Sequence, residues 1–446
     1  PHSASSEGQL DSGGDAYAFA MRVVRQPVDR AACPEVGLDH ELRLQLAGEA
    51  HTRPTVPVSA PALVLHEARL HDDGGKASRA YAESVASAHG LGSLGPNADH
   101  LLATTPTGVV KWERHGEFST WTIVRAGRVD PTAPIEAPAL LADAPGLRFA
   151  AAAVFVPAEE PQKAELDQSL GEETAQNEHV GSLLSGGRAG VWTNFRIGDD
   201  GWTRLHFMQR DMNQFRAGRS IRRLLEIEVY RMAALFALPI ARQAQREIDG
   251  LERRVGDAIA GTEKSEAETL EELVDAAREV ERIAQTTAFR FGAAQAYHRI
   301  VDQRLREFRE ERIEGLQRIS TFLDRRFVPA MNTCVTTQTR LDTLAARVER
   351  TAGLLRTRVD IEMAAQNQLQ LASMNENAKA QLRVQRAVEG FSVAAIAYYA
   401  FSLALAVTTP LAHWAGWANS DVHKMVLAVI TIAVVWLTLH HLRRRL

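Results

Sequence analysis

Glu228 is the residue whose setting most invites chemistry. On a helical reading of 214–256, Ile221, Leu225, Met232 and Leu235 fall on one face, with Glu228 in its middle. A carboxylate on an apolar stripe has to be paired with a cation or protonated. Arg53, Arg114 and Arg196, each beside strand or turn residues, are the candidate partners. A structural ion pair joining helix to sheet is the expectation, and a catalytic or ligand-binding carboxylate is the alternative. Three short strings surround these cations. His51-Thr52-Arg53-Pro54 ends a helix at a turn set by the proline. Trp112-Glu113-Arg114-His115 alternates along a strand, with Trp112 and Arg114 on one face and Glu113 and His115 on the other. Trp192, Asn194 and Arg196 share a face in the same way. His51, Arg53, Arg114, Arg196 and Glu228 thus form a candidate polar cluster. It would line a pocket or, as the plainer expectation, belong to a half-exposed sheet. His298 shares a helix face with Ala294, Val301 and Leu305 and reads as a packed core histidine.

A second constellation runs along a long helix. Steps of three and four from Ala364 pass through Asn367, Leu371, Met374, Ala378, Gln381, Gln385, Val388, Ser392, Ala395, Tyr399, Ser402, Ala406 and Thr409. No charge lies on this line, although Glu376, Lys379, Arg383, Arg386 and Glu389 lie between its members. A seam of Asn, Gln, Ser and Thr is too polar for a dry core. It suits helices around a symmetric, partly hydrated axis, hence an oligomer seam or pore lined by Asn367, Met374, Gln381, Gln385, Ser392, Tyr399, Ser402 and Thr409. Ordinary packing by small residues, with Ala400 and Ala404 as the close contact, is the plainer reading. Upstream, Leu341, Leu344, Val348 and Leu355 make a more apolar stripe in a shifted phase.

No catalytic residue or cofactor site follows from the motifs. The chain has no GxxxxGK[ST], no GxGxxG after a strand, no HExxH and no GxSxG. The glycine-rich string 185–190 lacks the strand before it and the helix after it that phosphate binding at a helix end requires. The expectation is a protein that is not an enzyme, and the residues name no metal ligands. Cys33 and Cys334 match no metal or redox spacing and read as thiols in a reducing compartment. The net charge of −4 argues against nucleic acid as the main partner.

The elements that position these residues change character along the chain. Residues 1–36 read as a disordered tail; 1–15 are polar and lack the apolar core of a secretory signal. Residues 37–212 read as an α/β domain with helices over 38–48 and 76–89. Its strands fall over 62–68, 109–115, 118–124, 147–156, 190–197 and 202–208. Turn signals at 115–117 and 198–201 make antiparallel pairs of the flanking strands, and 157–185 reads as a loop. Residues 213–386 read as a stalk of long helices, over 214–256 with a kink at Pro239, over 263–327, and from 330 to 409. Residues 387–446 read as a transmembrane hairpin. The segment 391–411 has no charge in 21 residues and 425–442 none in 18. At helical rise these reach about 31 and 27 Å, enough for a bilayer core. Arg383 and Arg386 precede the first and Arg443–Arg445 follow the second, so both ends face the cytoplasm. The fold class expected is an α+β cytoplasmic domain, a coiled-coil-like stalk and two C-terminal transmembrane helices.

These strings resemble a bacterial family of membrane-anchored proteins of unknown function, the domain family numbered 3422. The likeness covers roughly residues 40–410. It rests on the strings at 51–54, 112–118 and 191–196, on Arg223-Leu224-Leu225-Glu226-Ile227-Glu228-Val229-Tyr230-Arg231, on Leu354-Leu355-Arg356-Thr357-Arg358-Val359-Asp360, and on Val388-Glu389-Gly390. It brings no activity with it. In order of elements the chain is also similar to CorA-type magnesium channels, which are pentamers with a cytoplasmic α/β domain and a stalk helix entering the first span. Those channels carry Gly-Met-Asn after that span, whereas this chain has Thr408-Thr409-Pro410 and then Ala415-Gly416-Trp417. The likeness therefore implies the architecture and not the magnesium selectivity. The function expected is a multi-pass protein of the bacterial inner membrane, N- and C-termini cytoplasmic, forming a CorA-like homo-oligomeric ion channel or transporter. A divalent cation is a possible cargo. The alternative is a membrane-anchored scaffold or sensor without transport. The partners expected are the lipid bilayer and further copies of the chain.

Overall fold

The computed structural model describes residues 43, 55–95, 98–106, 108–261, 264–414 and 421–443. The expected tail over 1–36, the helix over 38–48, and residues His51 and Arg53 lie outside them. By internal contacts the chain divides into two compact units. One holds the chain up to residue 239 together with 290–334, and the other holds 240–289 and the chain from 335 on.

The first unit is built on one mixed sheet. In chain order its strands are β1 (Ala62–Leu70), β2 (His100–Thr105), β3 (Gly108–Arg114), β4 (Phe118–Ala126), β5 (Leu147–Val156), β6 (Val180–Leu184), β7 (Ala189–Ile197), β8 (Thr203–Gln209) and β9 (Glu311–Arg312). Their spatial order is β2-β3-β4-β1-β5-β8-β7-β6-β9. Every pairing is antiparallel except β5 with β8. The turns at 115–117 and 198–201 join β3 to β4 and β7 to β8, as the sequence predicts. β1 and β5 are central and buried on both faces, which is why they read as near-continuous apolar runs. One face carries Leu63, Leu65, Trp112, Trp121, Ile123 and Phe155. It packs on α1 (Lys76–Ala88) and α2 (Ala139–Ala142). Glu67 lies fully buried on that face and is held by Arg69 at 2.8 Å and Arg148 at 3.1 Å. The opposite face is covered by α4 (Gln214–Leu235) and by residues 290–308 of α6 (Glu266–Phe308).

The segment 157–185 is not a loop. It forms α3 (Lys163–Leu170) and β6. Gln162 and Glu165 cap α3 reciprocally, and Leu166 and Leu170 pack on Trp192. The helix expected over 214–256 breaks at Phe236, three residues before Pro239, and α5 (Ala237–Ala260) follows with the proline in its first turn. A proline cannot donate to the carbonyl four residues earlier, so the break falls there. The single helix expected over 263–327 is also interrupted. α6 stops at Phe308, and Arg309 takes a left-handed backbone with φ 48°. The chain then adds β9 to the sheet edge before α7 (Ile319–Arg326). Ile313 and Leu316 pack with Leu166 and Trp192, and this burial overrides the local helical pattern.

The second unit holds a three-helix bundle made of residues 240–260 of α5, 266–289 of α6 and 335–355 of α8 (Val328–Trp414). Its core uses Ala244, Ile248, Leu251 and Val255, then Leu273, Ala276, Val280 and Ile283, then Leu341, Leu344 and Val348, all at steps of three and four. The stripe expected at 341–355 is this core. Arg340 pairs with Asp249 and Glu252, Arg282 with Glu247, and Arg358 with Glu266, so α6 runs against the other two. α8 is 87 residues long, about 130 Å at ideal rise. It is long and apolar enough to cross a membrane by length and composition, and its apolar window is unburied. α9 (Asp421–Arg443) carries a shorter apolar run, Lys424–Thr438.

Glu228 is 2% exposed on α4. Arg53 lies outside the described residues, and among these the partner of Glu228 is neither Arg114 nor Arg196; it is Arg231, one helical turn on, whose Nη2 lies 2.7 Å from Oε2. Thr203 of β8 donates to its other oxygen at 3.3 Å. A partner at i+3 needs no long-range geometry, so the helix brings its own cation to the sheet. Glu228→Ala should lower stability by about 3–5 kcal/mol, because Arg231 is left half-buried without its carboxylate. Thermal melts of Glu228→Ala and Glu228→Gln check this, with the amide variant losing less.

Candidate functional site

Strand alternation places Lys111 and Glu113 of β3, His66 of β1, and Thr120 and Thr122 of β4 on the face that α4 covers. They line a cavity of about 280 Å³. Val64 and Val124 extend its floor, and Ile221, Leu225 and Val229 of α4 make an apolar roof. Arg222 and Glu226 of α4, Tyr230, and Arg304 of α6 stand at its polar side. Thr55, Val56 and Val58 close another wall. That wall needs Gly218, since a Cβ there would lie 2.1 Å from the Val56 carbonyl oxygen.

The floor is charged and buried. Lys111 Nζ lies 2.9 Å from Glu113 Oε2, and the two residues are 4% and 8% exposed. Burial lowers the Lys111 pKa, and Glu113 partly opposes this. Burial alone would raise the Glu113 pKa, but Lys111, Arg222 and His115 outweigh it and hold the carboxyl below its ordinary value. Glu113 Oε1 has no hydrogen-bond partner among the described residues. His66 Nδ1 lies 2.8 Å from Thr122 Oγ1. Burial drives the His66 pKa down to about 3, with Glu113 opposing and His115 and Lys111 reinforcing, so the ring is neutral at pH 7. The cavity thus offers a bare carboxylate oxygen, a neutral imidazole, two threonines and an ammonium opposite an apolar roof. Such a set orients a small polar molecule by hydrogen bonds while its apolar part faces α4. Among the described residues no group of three or more His, Cys, Asp and Glu is arranged to hold a metal ion.

The residues proposed from sequence divide among several places. Glu113 and His115 share a face, as the alternation predicts, and both line the cavity. Arg114 points to the other face and binds Asp99 at 2.5 Å. Trp192, Asn194 and Arg196 all meet the 166–177 segment: Trp192 packs on Leu166 and Leu170, Asn194 donates to the Leu170 carbonyl, and Arg196 donates to the Gln176 carbonyl. Glu228 joins this neighbourhood only through Arg231, whose guanidinium lies 5.2 Å from the Phe195 ring centre. Arg114, Arg196 and Glu228 therefore form no common site. His298 is half-buried, edge-on to Phe327 at 5.4 Å. The seam residues Asn367, Met374, Gln381, Gln385, Ser392, Tyr399 and Thr409 are exposed on α8, with Ser402 half-exposed. Sequence patterning does not single out Lys111 or His66. Lys111 is legible by its parity with Glu113 on β3, whereas His66 requires the β1–β4 register.

The chain belongs to a family described as a protein of unknown function (DUF3422), which it matches over residues 38–446. No curated protein and no solved structure is detectably similar to it.

Two buried histidines set an acid limit on this unit. His206 of β8, like His66, is held neutral by burial, with a pKa lowered to about 4. As pH falls below about 6.5 the unfolded chain takes up a proton at each, and the folded chain does not until pH nears 4 or 3, so unfolding is favoured. By pH 5 each histidine should remove about 2 kcal/mol of stability relative to pH 7. Denaturation at pH 7 and pH 5 checks this: His66→Gln and His206→Gln should each show a smaller loss between the two pH values than the parent chain.

Proposed function

We propose that this member of the DUF3422 family is a membrane-anchored sensor whose α+β unit binds a small polar molecule in the cavity under α4. The observation that carries the reading is Glu113, a nine-tenths-buried carboxylate that lines the cavity and whose Oε1 has no hydrogen-bond partner among the described residues. A buried acceptor left unsatisfied costs about 1–3 kcal/mol, and a ligand N–H or O–H removes that cost. Lys111 and Arg222 favour a ligand that also carries an anionic or carbonyl oxygen. The cavity is the size of a small metabolite, at the lower end of ligand pockets. The apolar stretches of α8 and α9 anchor the protein in the bacterial inner membrane, with N- and C-termini cytoplasmic. The chain acts by binding rather than by catalysis.

A panel of amino acids, small amines and small carboxylic acids, screened by the melting temperature of the full chain, tests the site. A compound that raises the melting temperature should bind at least about tenfold more weakly to Glu113→Gln, which keeps the shape and removes the charge. Equal affinity for the parent and for Glu113→Gln would sink the assignment.

A second reading rests on a different observation. Beyond the bundle α8 exposes the uncharged line from Asn367 to Thr409 in the single chain, and Met374 and Tyr399 are 67% and 72% exposed. A homo-oligomer that closes this line around an axis would be CorA-like in architecture and could pass a cation, a divalent one included. Cysteines at Ser392 and Ser402 should then cross-link between copies more readily than cysteines at Arg383 and Arg386. Cross-linking at the seam without ion flux in liposomes would keep the oligomer and leave the sensor as its function.

A further inference from the structure

A separate cleft of the first unit is lined by seven arginines. They come from four segments: Arg188 from the β6–β7 turn, Arg216, Arg219 and Arg223 from α4, Arg299 and Arg306 from α6, and Arg309 from the link to β9. Glu307 and Glu311 are the carboxylates in its lining, which leaves five positive charges in excess. Two of the arginines are occupied: Arg223 binds Glu307 at 2.8 Å, and Arg306 binds Asp302. Arg188, Arg216, Arg219, Arg299 and Arg309 have no carboxylate partner among the described residues.

Helix electrostatics and solvation account for only part of this set. A cation in the last turn of a helix is stabilised by the helix dipole, which accounts for Arg306. Solvated arginines on a helix are ordinary, but they do not converge from four segments into one hollow of about 1,220 Å³. Guanidinium groups held within a Debye length repel one another unless an anion lies between them. The backbone contributes as well. Asn213 caps the first turn of α4, so the positive end of a 22-residue helix dipole lies at the Arg216–Arg219 side. Ser185 and Arg309 take left-handed conformations with φ 54° and 48°, and both line the cleft. Non-glycine residues hold such angles at a cost, and they collect at binding sites. The glycine-rich string 185–190 is therefore the turn that presents Ser185 and Gly186 to this cleft, and not a loop opening a helix.

We propose that this arginine-lined cleft binds a small ligand carrying two or more phosphoryl groups. The planar forks of unpaired arginines match phosphate oxygens bidentately, and a multiply charged anion satisfies several of them together. The site is independent of the ligand assigned to the cavity under α4. It is nevertheless joined to it by a chain of ion pairs, since Glu226 bridges Arg222 and Arg304, and Glu307 bridges Arg304 and Arg223.

The test is calorimetric titration of the full chain, in nanodiscs of zwitterionic lipid, with inorganic tripolyphosphate and with ATP. Both should bind, compete with each other and weaken as salt is raised. Arg219→Gln and Arg299→Gln should each weaken binding about tenfold or more, because each removes a charge-assisted pair. Arg246→Gln, a change of an arginine in the second unit, should leave it unchanged. A parallel arm uses zwitterionic vesicles with and without an anionic lipid whose headgroup carries two or more phosphoryl groups. If only the anionic vesicles bind, and Arg219→Gln and Arg299→Gln abolish it, the phosphoryl ligand is a lipid headgroup and the site stands. No binding in either arm, or binding indifferent to both cleft variants, overturns the proposal. So does a single-stranded oligonucleotide that binds at the cleft when tripolyphosphate does not.

Discussion

A strand sends alternate side chains to opposite faces, so a central strand that buries both faces needs cover on both. β1 imposes this demand here. Leu63, Leu65 and Glu67 point to the α1 side, and Val64, His66 and Ala68 to the α4 side. Each face carries a buried carboxylate. On the α1 side Glu67 is enclosed by two arginines, and Arg69 also binds the carbonyls of Leu141 and Ala144. That network closes on itself and ties α2 to the sheet. On the α4 side Glu113 has one cation and an oxygen with no described partner. One sheet thus holds two buried carboxylates, one fully satisfied and one facing a cavity. A saturated network rigidifies a core, and an unsaturated one over a cavity is a place for a ligand.

The helices on that side carry two kinds of work. Ile221, Leu225 and Val229 supply the apolar cover that α4 needs to dock. The next positions round the helix, Arg222, Arg223 and Glu226, reach outward to α6. Arg304 and Glu307 of α6 complete an alternating line of cations and anions. Partly exposed pairs of this kind add little stability one by one, but a shared network fixes side-chain positions. The cavity lies at one end of the line and the arginine cleft at the other, all within one compact unit. A ligand drawing on Arg223 or Arg222 would alter the charge that the rest of the line feels.

The second unit follows a simpler rule. Apolar residues at steps of three and four let the three helical segments share one seam, and the seam ends near Leu355. From residue 360 to residue 390 every side chain of α8 is exposed. A helix of that length without tertiary cover is not stable by propensity alone in water, and partners along it are the usual remedy. The uncharged line through Gln381 and Gln385 is one of the faces left exposed there.

Much of this architecture was legible in the residues themselves. Runs rich in Val, Phe, Trp and Thr located β1, β3, β4, β5, β7 and β8 to within two residues, because such side chains suit a pleated, buried surface. Two turn signals joined the right strand pairs. The 3-4 spacing at 341–355 marked a real core, and the parity of Glu113 and His115 put them on one face. What the residues alone left open was every decision made by distant partners. β2, β6 and β9 are weakly patterned, and they exist because neighbouring strands offer hydrogen bonds to an edge. Residues 309–318 leave the helical pattern because Ile313 and Leu316 gain more by packing with Leu166 and Trp192 than by extending α6. Glu228 took the cation one turn away over Arg114 and Arg196 on strands, since no chain closure had to be overcome to reach it. The cavity joins His66, Lys111, Glu113, Arg222 and Arg304, and the arginine cleft joins residues from 188 to 309. Local periodicity reports which face a side chain takes; only the sheet register and the docking of α4 and α6 decide which faces meet.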